Sequence, residues 1–402
     1  MNERLKRVEN ALAVLKEGGK VLLCDHESRE NEGDVIVAAE FATPEAIQFM
    51  AQKACGLICL ALDEQYIEKF RLNPMAPKNN SRHQTAFTVS IGARKGTTTG
   101  ISAHDRSHTV LTVVDDASNP EDIVSPGHLF PLKAEKHGVF VREGHTEGSV
   151  DLMRLAGLKP AAVICEVMGE DGHMAKGDAL VNFAKAHKLP VLSVADVLAY
   201  RLFHEARAEY IAQANLPTHE FGAFKVHAFK DRITGVDHLA IVAGELASIK
   251  KSLVRVHSSC VTGDIFSSQR CDCGEQLAVA LDKIQAEGGV LLYLNQEGRG
   301  IGLANKIKAY ALQEQGLDTI EANHQLGFPA DMRSFSIAAD MLKHLGVKKI
   351  ALMTNNPRKL EELSDYGLEV VERVPLEIDA HENNKAYLKA KKQKLGHFLS
   401  RA

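Results

Sequence analysis

Three cysteines are spaced in a pattern suited to binding one metal ion. Cys260 is followed, after ten residues, by Cys271 and Cys273. A Cys-x-Cys pair on one turn can direct two thiolates at a cation, and a third thiolate completes a three-sulfur face. Zn²⁺ prefers four ligands in a tetrahedron, so three protein ligands leave a position for water, as in catalytic zinc sites. A zinc ion held this way lowers the pKa of that water and supplies a nucleophile near neutral pH.

Two other interpretations of these cysteines remain open. They could be unrelated core residues of a reduced protein, because buried cysteine is common. A closed structural zinc site would instead need a fourth ligand, for which His257 is a candidate. The chain has seven cysteines. This odd number, with three apparently committed to a metal, favours a reducing, cytoplasmic compartment.

A polar segment in the first half could hold a second metal ion. Glu30, Glu32 and Asp34 alternate with other residues between an apolar strand at 21–24 and another at 35–39. Hard cations such as Mg²⁺ take oxygen ligands, often one or two carboxylates with substrate oxygens and water. A solvated acidic turn is the alternative interpretation.

Two further residues of the first half have side chains that could do chemistry. His145 opens a helical pattern, where a histidine can be a metal ligand, a phosphate donor or a cap. Glu166 ends an apolar strand at 161–167. A desolvated carboxylate has a raised pKa and can move protons near neutral pH. The alternative is a strand-end glutamate that faces solvent.

The segment VLLYLNQEGRGIGLANKI in the second half predicts a strand, a glycine-rich turn and a helix. This order suits a phosphate or nucleotide loop, because glycine allows close backbone approach and a helix start attracts anions. It is not a Walker sequence, since no Gly-Lys-Ser/Thr follows the glycines.

The chain as a whole has the composition of a soluble globular protein. Its 402 residues suggest two or three domains, and its net charge of −4 gives no reason to expect nucleic-acid or membrane binding. Anionic substrates must then be held by local arginine and lysine. No apolar run is long enough to span a membrane. The pattern of elements predicts an α/β (α+β) protein of two domains, 1–200 and 201–402, each a mixed sheet covered by helices.

Local sequence patterns also predict individual helices, strands and loops. A proline after Thr43 predicts a helix capped by Thr43 and continuing to Lys53. Residues 87–91 predict a strand, and the polar stretch 71–85 predicts a loop over an active site. In the second half, FKVHAF, HLAIVAGE and SLVRVHS alternate apolar and polar residues, which predicts antiparallel strands.

Longer motifs in each half resemble known enzyme families. The C-terminal half resembles GTP cyclohydrolase II in VRVHSSCVTGD, SSQRCDCGEQL, QEGRGIGLANKIKAYALQEQG, EANHQLGFPADMRSF and LMTNNPRKL, in that family's order. The N-terminal half resembles 3,4-dihydroxy-2-butanone-4-phosphate synthase in RENEGD, TTTGISAHDR, PGHLFPL and REGHTEGSVDLMRLAG. Together they imply a bifunctional enzyme of riboflavin biosynthesis, with a lyase half and a hydrolase half.

For the N-terminal half, the resemblance implies conversion of ribulose 5-phosphate to 3,4-dihydroxy-2-butanone 4-phosphate and formate. It implies that Glu30 and His145 hold Mg²⁺ or Mn²⁺ and that His128 and Glu166 are catalytic. Arg142 would bind the substrate's phosphate. Implied substrate contacts are Arg29, Glu30, Asp34, Arg142, Glu143, Gly144, His145 and Thr146. The chain departs from the family at His26 and Ser28, where acids are common, and at Ser125, where the family often has arginine.

For the C-terminal half, the resemblance implies zinc at Cys260, Cys271 and Cys273 and hydrolysis of GTP to a diaminopyrimidinone nucleotide, formate and pyrophosphate. Mg²⁺ on the polyphosphate would assist. Implied GTP contacts are Arg255, Val256, His257, Ser258, Ser259, Gln276, Glu297, Gly298, Arg299, Thr319, Thr354 and Lys359. We hypothesise that Glu297 accepts hydrogen bonds from guanine and that Arg299 binds phosphate.

Three more residues of this half would carry the reaction. Asp331 matches the family's proton acceptor, Arg333 its proposed nucleophile, and Tyr310 would assist. Without the resemblance, the interpretation of Arg333 is a helix arginine that faces solvent. A homodimer is expected. The rival interpretations are a fusion with only one active half and a zinc-ordered nucleotide-binding regulatory module without turnover.

Overall fold

The computed structural model describes residues 3–27, 29–246, 251–380, 382 and 384–400. The chain forms two compact units, Met1–Arg201 and Leu202–Ala402. We call them the N-terminal unit and the C-terminal unit and describe each by itself. In the described part of the chain, no helix combines the length and apolar character needed to cross a membrane.

The N-terminal unit is built on a seven-stranded mixed sheet with the order β4-β5-β3-β6-β2-β1-β7. The pairs β1–β7 and β3–β5 are parallel, and the other neighbours are antiparallel. The strands are β1 (Val21–Cys24), β2 (Gly33–Ala38), β3 (Cys59–Leu62), β4 (Ile91–Ala93), β5 (Ile123–Lys133), β6 (Ala161–Glu166) and β7 (Val191–Ser193). The α-helices are α1 (Glu3–Lys16), α2 (Pro44–Phe49), α3 (Glu64–Lys69), α4 (Ala103–Val114), α5 (His145–Ala156), α6 (Asp178–His187) and α7 (Val194–His204).

Both faces of this sheet are buried, which explains why its central strands are apolar throughout. Successive side chains of a strand point to opposite faces. Val35 and Val37 of β2 therefore belong to one hydrophobic cluster, which also takes in residues of α2, α4 and α6. Ile36 and Ala38 belong to the cluster on the other face, with residues of α1, α5 and α7.

The C-terminal unit has a second seven-stranded sheet, with the order β14-β13-β11-β12-β10-β9-β8. Strands β14, β13, β11 and β12 are parallel neighbours, and β10, β9 and β8 continue the sheet antiparallel. The strands are β8 (Ala208–Thr218), β9 (Gly222–Asp231), β10 (Asp237–Ala243), β11 (Ser252–Ser258), β12 (Gly289–Leu294), β13 (Lys349–Met353) and β14 (Glu369–Val374). The α-helices are α8 (Val261–Asp264), α9 (Cys273–Glu287), α10 (Leu303–Glu314), α11 (Thr319–Gln325), α12 (Ser336–His344), α13 (Pro357–Asp365) and α14 (Lys385–Leu395).

Two mixed sheets covered by helices confirm the predicted fold class, but the predicted pairing of β11 is wrong. Strands β9 and β10 are antiparallel as expected, whereas β11 is parallel to both β12 and β13. The polar residues Arg255 and His257 suggested a solvent-facing side, yet both are buried. A strand buried on both faces is typical of parallel sheets. Its polar residues instead contribute to an internal site.

Two local predictions in the N-terminal unit have mixed outcomes. Thr43 caps α2, its hydroxyl accepting from the Ala46 amide at 3.3 Å, and the helix continues as a wider π-helical turn from Met50 to Ala54. Of the predicted strand 87–91, only Ile91 belongs to a strand, where it begins β4, while Phe87 and Thr88 make only isolated bridges. The neighbouring Pro131 of β5 has no N–H to donate to a ladder.

Candidate active sites

The N-terminal unit gathers its candidate acid–base residues at one edge of the sheet. Asp34 of β2 lies opposite Glu166 of β6. The Glu166 carboxylate accepts from the Leu57 amide at 2.9 Å, two residues before β3 begins. On the other side of β3, Phe130 of β5 is opposite Cys59, and the two strands are parallel. His128, two residues before Phe130, is therefore level with Leu57, two residues before Cys59. A Cβ atom at Gly100 would lie 2.7 Å from His128 Nδ1, so the TTTG segment approaches this histidine closely.

A cluster of possible metal ligands lies at the end of β1. Asp25, Glu30 and His145 each offer a ligand atom, and these atoms lie within 4.8 Å of one another. Glu30 and His145 are the metal ligands predicted above, whereas Asp25 was not predicted. The sequence signal for Asp25 is its position directly after a buried strand. Arg29 Nη1 lies 2.9 Å from Asp25 Oδ2 and 3.0 Å from Glu30 Oε1.

The charges around this cluster fit a divalent cation. His145 Nε2 and Asp34 Oδ1 are buried without a hydrogen-bond partner. Burial, together with Glu166 and other carboxylates, raises the pKa of Asp34, and burial lowers the pKa of His145. Several carboxylates beside a neutral imidazole form the oxygen and nitrogen donor set that Mg²⁺ or Mn²⁺ can use. The residues present therefore fit the implied metal.

The predicted phosphate-binding arginine is already engaged. Arg142 Nη1 donates to Glu147 Oε2 at 2.7 Å, and Nη2 donates to the His83 carbonyl at 3.2 Å. Glu143 is exposed, while Gly144 and Thr146 are buried at the start of α5. His26 and Ser125 are exposed, and Ser28 lies outside the described residues.

The polar loop 71–85 lies over part of this site. A cavity of about 950 Å³ is lined by residues of the loop together with Arg29, Glu30, Lys133 and Lys176. His128, His145 and Glu166 do not line it. The loop thus lies against Glu30, and the candidate acid–base residues stand apart from the cavity.

In the C-terminal unit the three predicted cysteines come together. Cys260 precedes α8, Cys271 precedes α9, and Cys273 begins α9. Their sulfur atoms lie within 4.8 Å of one another, and Cys260 Sγ is 3.6 Å from Cys271 Sγ. Zn–S bonds of about 2.3 Å place two sulfurs of a tetrahedron roughly 3.8 Å apart, so this spacing fits zinc.

Two neighbouring features bear on how such a metal would be held. A Cβ atom at Gly263 would lie 3.0 Å from Cys271 Sγ and 3.1 Å from Cys260 Sγ, so only glycine leaves this space open. His257 directs Nε2 at Asp264 Oδ1, 3.1 Å away. Among the described residues, the cluster contains the three cysteines and no fourth ligand. This geometry favours the open site over the closed structural site.

A buried lysine missed in the sequence analysis touches this cluster. Lys306 Nζ lies 3.1 Å from Cys260 Sγ and 2.8 Å from Glu297 Oε1. Hydrogen bonds from Cys271 and Cys273, with the nearby Lys306 charge, lower the pKa of Cys260. Lys306 also approaches Thr262, whose hydroxyl is 3.3 Å from the Tyr310 hydroxyl. The available signal was helical spacing, since Lys306 and Tyr310 are four residues apart on α10.

One cavity of about 160 Å³ is lined by nearly all of the predicted GTP contacts. The exception is Val256, whose side chain is buried and whose carbonyl accepts from Lys359 Nζ at 2.7 Å. The lining carries two acidic residues, Asp272 and Glu297. Against these stand seven lysines and arginines: Arg255, Arg270, Arg299, Lys306, Arg333, Lys359 and Lys391. Such a lining attracts polyanions such as phosphate chains.

The predicted proton acceptor and nucleophile form a close pair beside this cavity. Asp331 accepts from Arg333 Nε at 2.9 Å and from Nη2 at 2.7 Å. Burial opposes ionisation of Asp331, but the hydrogen bonds and charge of Arg333 outweigh it, so its pKa is lowered. The Arg333 side chain is 13% exposed and precedes α12, so the solvent-facing alternative is wrong.

The other polar contacts fix side chains around the cavity. Arg255 Nη2 donates to Gln276 Oε1 at 2.6 Å, and Arg255 Nη1 donates to the Met353 carbonyl at 3.0 Å. Glu297 accepts from the Val261 amide at 2.7 Å through Oε2 and from Lys306 through Oε1. Both oxygens of Glu297 are therefore engaged, so contact with guanine would require one to be shared. Ser258, Ser259, Gly298, Thr319 and Thr354 also line the cavity.

Comparison with known proteins agrees with both halves of the chain. The family model of 3,4-dihydroxy-2-butanone 4-phosphate synthase matches residues 9–200, and that of GTP cyclohydrolase II matches residues 209–375. Riboflavin biosynthesis protein RibBA of Aquifex aeolicus is 52% identical over 400 residues, which cover 98% of each chain. The chain belongs to the RibBA family.

A second RibBA protein and a solved two-domain structure are also similar to this chain. RibBA of Bacillus cereus is 51% identical over 395 residues, covering 98% of this chain and 99% of that protein. The crystal structure of RibBX, a two-domain 3,4-dihydroxy-2-butanone 4-phosphate synthase from A. baumannii, superposes with a TM-score of 0.70 at 35% identity. It covers 92% of this chain and 99% of that one. Our protein is thus a bifunctional riboflavin biosynthesis enzyme with a synthase domain and a cyclohydrolase domain.

Proposed function

We propose that the C-terminal unit hydrolyses GTP to a diaminopyrimidinone nucleotide, formate and pyrophosphate, with zinc held by Cys260, Cys271 and Cys273. The observation that carries this proposal is the meeting of three thiols with a cation-lined cavity. When bound, zinc would supply Lewis-acid activation of water for the hydrolysis of the purine ring. Magnesium on the polyphosphate would assist the departure of pyrophosphate.

The chain's own residues would carry the first step. A nitrogen of Arg333 would form a bond to the α-phosphorus while the bond to the pyrophosphate oxygen breaks. Water would later cleave the nitrogen–phosphorus bond, which frees the nucleotide and regenerates Arg333. Asp331 takes the proton that the guanidinium gives up, and its hydrogen bonds to Arg333 Nε and Nη2 support this role. The cations of the cavity would neutralise the departing charge, and the Tyr310 hydroxyl would assist from α10.

We propose that the N-terminal unit converts ribulose 5-phosphate to 3,4-dihydroxy-2-butanone 4-phosphate and formate. Glu30 and His145, with Asp25 as a third candidate, would hold Mg²⁺ or Mn²⁺, which when bound stabilises negative charge on neighbouring substrate oxygens. Glu166 and His128 would move protons at the sheet edge. Arg29, Asp34 and residues 142–146 would contact the substrate, and binding would require Arg142 to share its guanidinium between Glu147 and the phosphate.

Two formate assays on matched variants test both halves. The wild-type enzyme should release formate from GTP and from ribulose 5-phosphate. Glu166→Gln should lose about 10²- to 10⁴-fold of the ribulose 5-phosphate activity, the usual contribution of an acid–base residue, and keep the GTP activity. Glu170→Gln, an exposed change nearby, is the control.

The outcomes separate the rival functions. Formate from only one substrate would mean a fusion with one active half. Binding of GTP without formate from either substrate would favour a zinc-ordered regulatory module.

We propose that the two domains of the protein are residues 1–200 and 201–402.

We also propose that the protein is a homodimer. Large apolar side chains are exposed on segments that flank the cavity of the C-terminal unit, including Ile265, Phe266, Leu303 and Ile307. Exposed apolar groups of this kind are typical of protein interfaces. Light scattering coupled to size-exclusion chromatography would give the mass, and a monomer at micromolar concentration would contradict the proposal.

A further inference from the structure

The last described segment of the chain, residues 385–400, forms one wall of the cation-lined cavity. We call this segment the C-terminal strap. It begins with α14 and lies beyond residue 375, where the match to the cyclohydrolase family model ends. Lys391, His397 and Leu399 of the strap line the cavity. The family match therefore leaves part of the cavity wall without an assigned role.

The strap is fixed to the rest of the unit at several points. The Phe398 amide donates to the Asn355 carbonyl at 2.8 Å, and Arg373 lies over the Phe398 ring at 5.0 Å. The Ser400 amide donates to Glu377 Oε2 at 2.7 Å. Leu388 of α14 is buried. Two of these contacts, at Phe398 and Ser400, are single hydrogen bonds, and bonds of this kind can break and form again at low cost.

Lys391 joins the C-terminal strap to the segment that carries Cys271 and Cys273, two of the candidate zinc ligands. Its Nζ donates to Asp272 Oδ1 at 2.8 Å, and Asp272 lies between two of the clustered cysteines. The other oxygen of Asp272 accepts from Gln276 Nε2 at 2.6 Å, and Gln276 Oε1 accepts from Arg255. A continuous row of hydrogen bonds thus runs from the strap to two candidate GTP contacts and sets the orientation of the Gln276 amide.

His397 lies among positive charges. Burial lowers its pKa to about 3, and Lys391, Lys359, Arg299 and Arg333 contribute further to this shift. An anion at this position would relieve repulsion among the four cations. The polyphosphate of a nucleotide supplies such an anion.

The cavity is small for the proposed substrate. Its volume of about 160 Å³ is below the roughly 300–1,000 Å³ typical of small-molecule sites. A nucleoside triphosphate enclosed by this cavity would displace some of the lining. The strap is held by hydrogen bonds at Phe398 and Ser400, by ion pairs of Lys391 and Lys394 and by buried Leu388. Arg255 and Cys260, on other walls of the cavity, belong to the buried interior.

We propose that the C-terminal strap opens to admit the nucleoside triphosphate and closes over its polyphosphate, with Lys391 as the positioning residue that holds Asp272 and Gln276 in place. This inference rests on the proposed hydrolysis of GTP. In the closed form, His397 faces the polyphosphate.

Steady-state kinetics of three variants test the role of Lys391. Lys391→Met should raise the KM for GTP at least about tenfold, because Asp272 loses its buried charge partner, while kcat falls less. Lys391→Arg should restore most of the binding. Lys389→Met, an exposed change on the same helix, should match wild type. All three should keep their zinc and the release of formate from ribulose 5-phosphate, which shows that the chain is folded.

Hydrogen exchange of the full-length enzyme tests the closure directly. A non-hydrolysable GTP analogue should slow amide exchange in residues 385–400 several-fold in wild type and less in Lys391→Met. Unchanged strap exchange with the analogue bound, or an unchanged KM in Lys391→Met, would overturn the strap inference and leave GTP hydrolysis standing. A wild-type enzyme that releases no formate from GTP would overturn both.

Discussion

Cys260 differs from its two partners in its electrostatic surroundings. It receives hydrogen bonds from Cys271 and Cys273 and has the Lys306 ammonium 3.1 Å away, so its pKa is lowered. The hydrogen bond with Cys260 raises the pKa of Cys271 to about 11. The Lys306 ammonium stabilises a thiolate at Cys260, and a zinc ion would favour deprotonation of all three thiols on binding.

Replacement of Cys271 by serine should remove the metal from the C-terminal unit. A hydroxyl is a poor ligand for zinc compared with a thiolate, so Cys271→Ser should contain well under one zinc per chain and release no formate from GTP. Formate release from ribulose 5-phosphate should persist. Metal analysis of the purified variant gives the first result and the two formate assays give the others. Cys55→Ser, at an exposed cysteine, is the control, and stoichiometric zinc in Cys271→Ser would contradict the assignment.

The residues that the sequence analysis found and those it missed differ in how far apart their partners are in the chain. Cys271 and Cys273 share one turn, so their spacing reveals them. Asp25 bonds to its sequence neighbours Arg29 and Glu30 but meets His145 only in the folded chain, and Lys306 meets Cys260 across 46 positions. Only a strand end and a helical spacing indicate these two residues in the sequence. Lys391 meets Asp272 across 119 positions, and no local pattern encodes such a contact.

At the scale of elements, burial explains why the strands β1 and β6 were predicted correctly and why the pairing of β11 was not. Strands β1 and β6 are short apolar runs, and the sequence places them within about one residue of their observed bounds. Strand β11 alternates like a half-exposed antiparallel strand, yet its polar residues serve an internal cavity. A functional site inside a parallel sheet thus gives the same pattern as a solvent-facing side, because periodicity does not distinguish water from a buried polar site.

The first and seventh helices of the N-terminal unit are joined by an ion pair. Arg7 of α1 donates to Asp196 Oδ1 at 2.7 Å and to Oδ2 at 3.0 Å, and Asp196 also accepts from the Ser193 amide at 2.9 Å near the start of α7. Burial opposes ionisation of Asp196, but these bonds outweigh it and lower its pKa. The carboxylate therefore stabilises the folded state.

This pair predicts a pH dependence of stability. Asp196→Asn should lower the free energy of unfolding by about 1–3 kcal/mol at pH 7, since hydrogen bonds to a charged group are lost. Because the folded-state pKa is depressed, the wild-type advantage is fully present above the unfolded pKa of about 3.9 and disappears as pH falls through the folded value. Urea unfolding at several pH values, followed by circular dichroism, measures the difference.

An exposed carboxylate provides the matched control. Asp116 is 88% exposed and lies 3.0 Å from Lys159. Asp116→Asn should lower the free energy of unfolding by less than about 1 kcal/mol. A difference between wild type and Asp196→Asn that stays constant from pH 7 to pH 3 would contradict the assigned pKa shift.

At the scale of the whole molecule, each unit has its own sheet and its own hydrophobic clusters. Each unit also contains a cluster of candidate metal ligands, Asp25, Glu30 and His145 in the N-terminal unit and Cys260, Cys271 and Cys273 in the C-terminal unit. Units with separate cores can in principle fold alone.

Separate expression of the two halves should therefore preserve both chemistries. A split after Glu205 leaves α7 intact and gives pieces 1–205 and 206–402. The first piece should release formate from ribulose 5-phosphate alone, and the second should release formate from GTP alone. Circular dichroism checks folding. A piece that is folded and metal-loaded but inactive would show that its site needs the other half.

The uneven charge of the cyclohydrolase cavity has a practical consequence. The chain carries a net charge of −4, yet seven cations and two acids line this cavity. Such a lining attracts polyanions in general, so buffer phosphate or citrate should compete with the nucleotide. Released pyrophosphate should occupy the same cations and act as a product inhibitor. Apparent affinities will then depend on the assay medium, and zwitterionic buffers at fixed salt will give the values closest to the intrinsic ones.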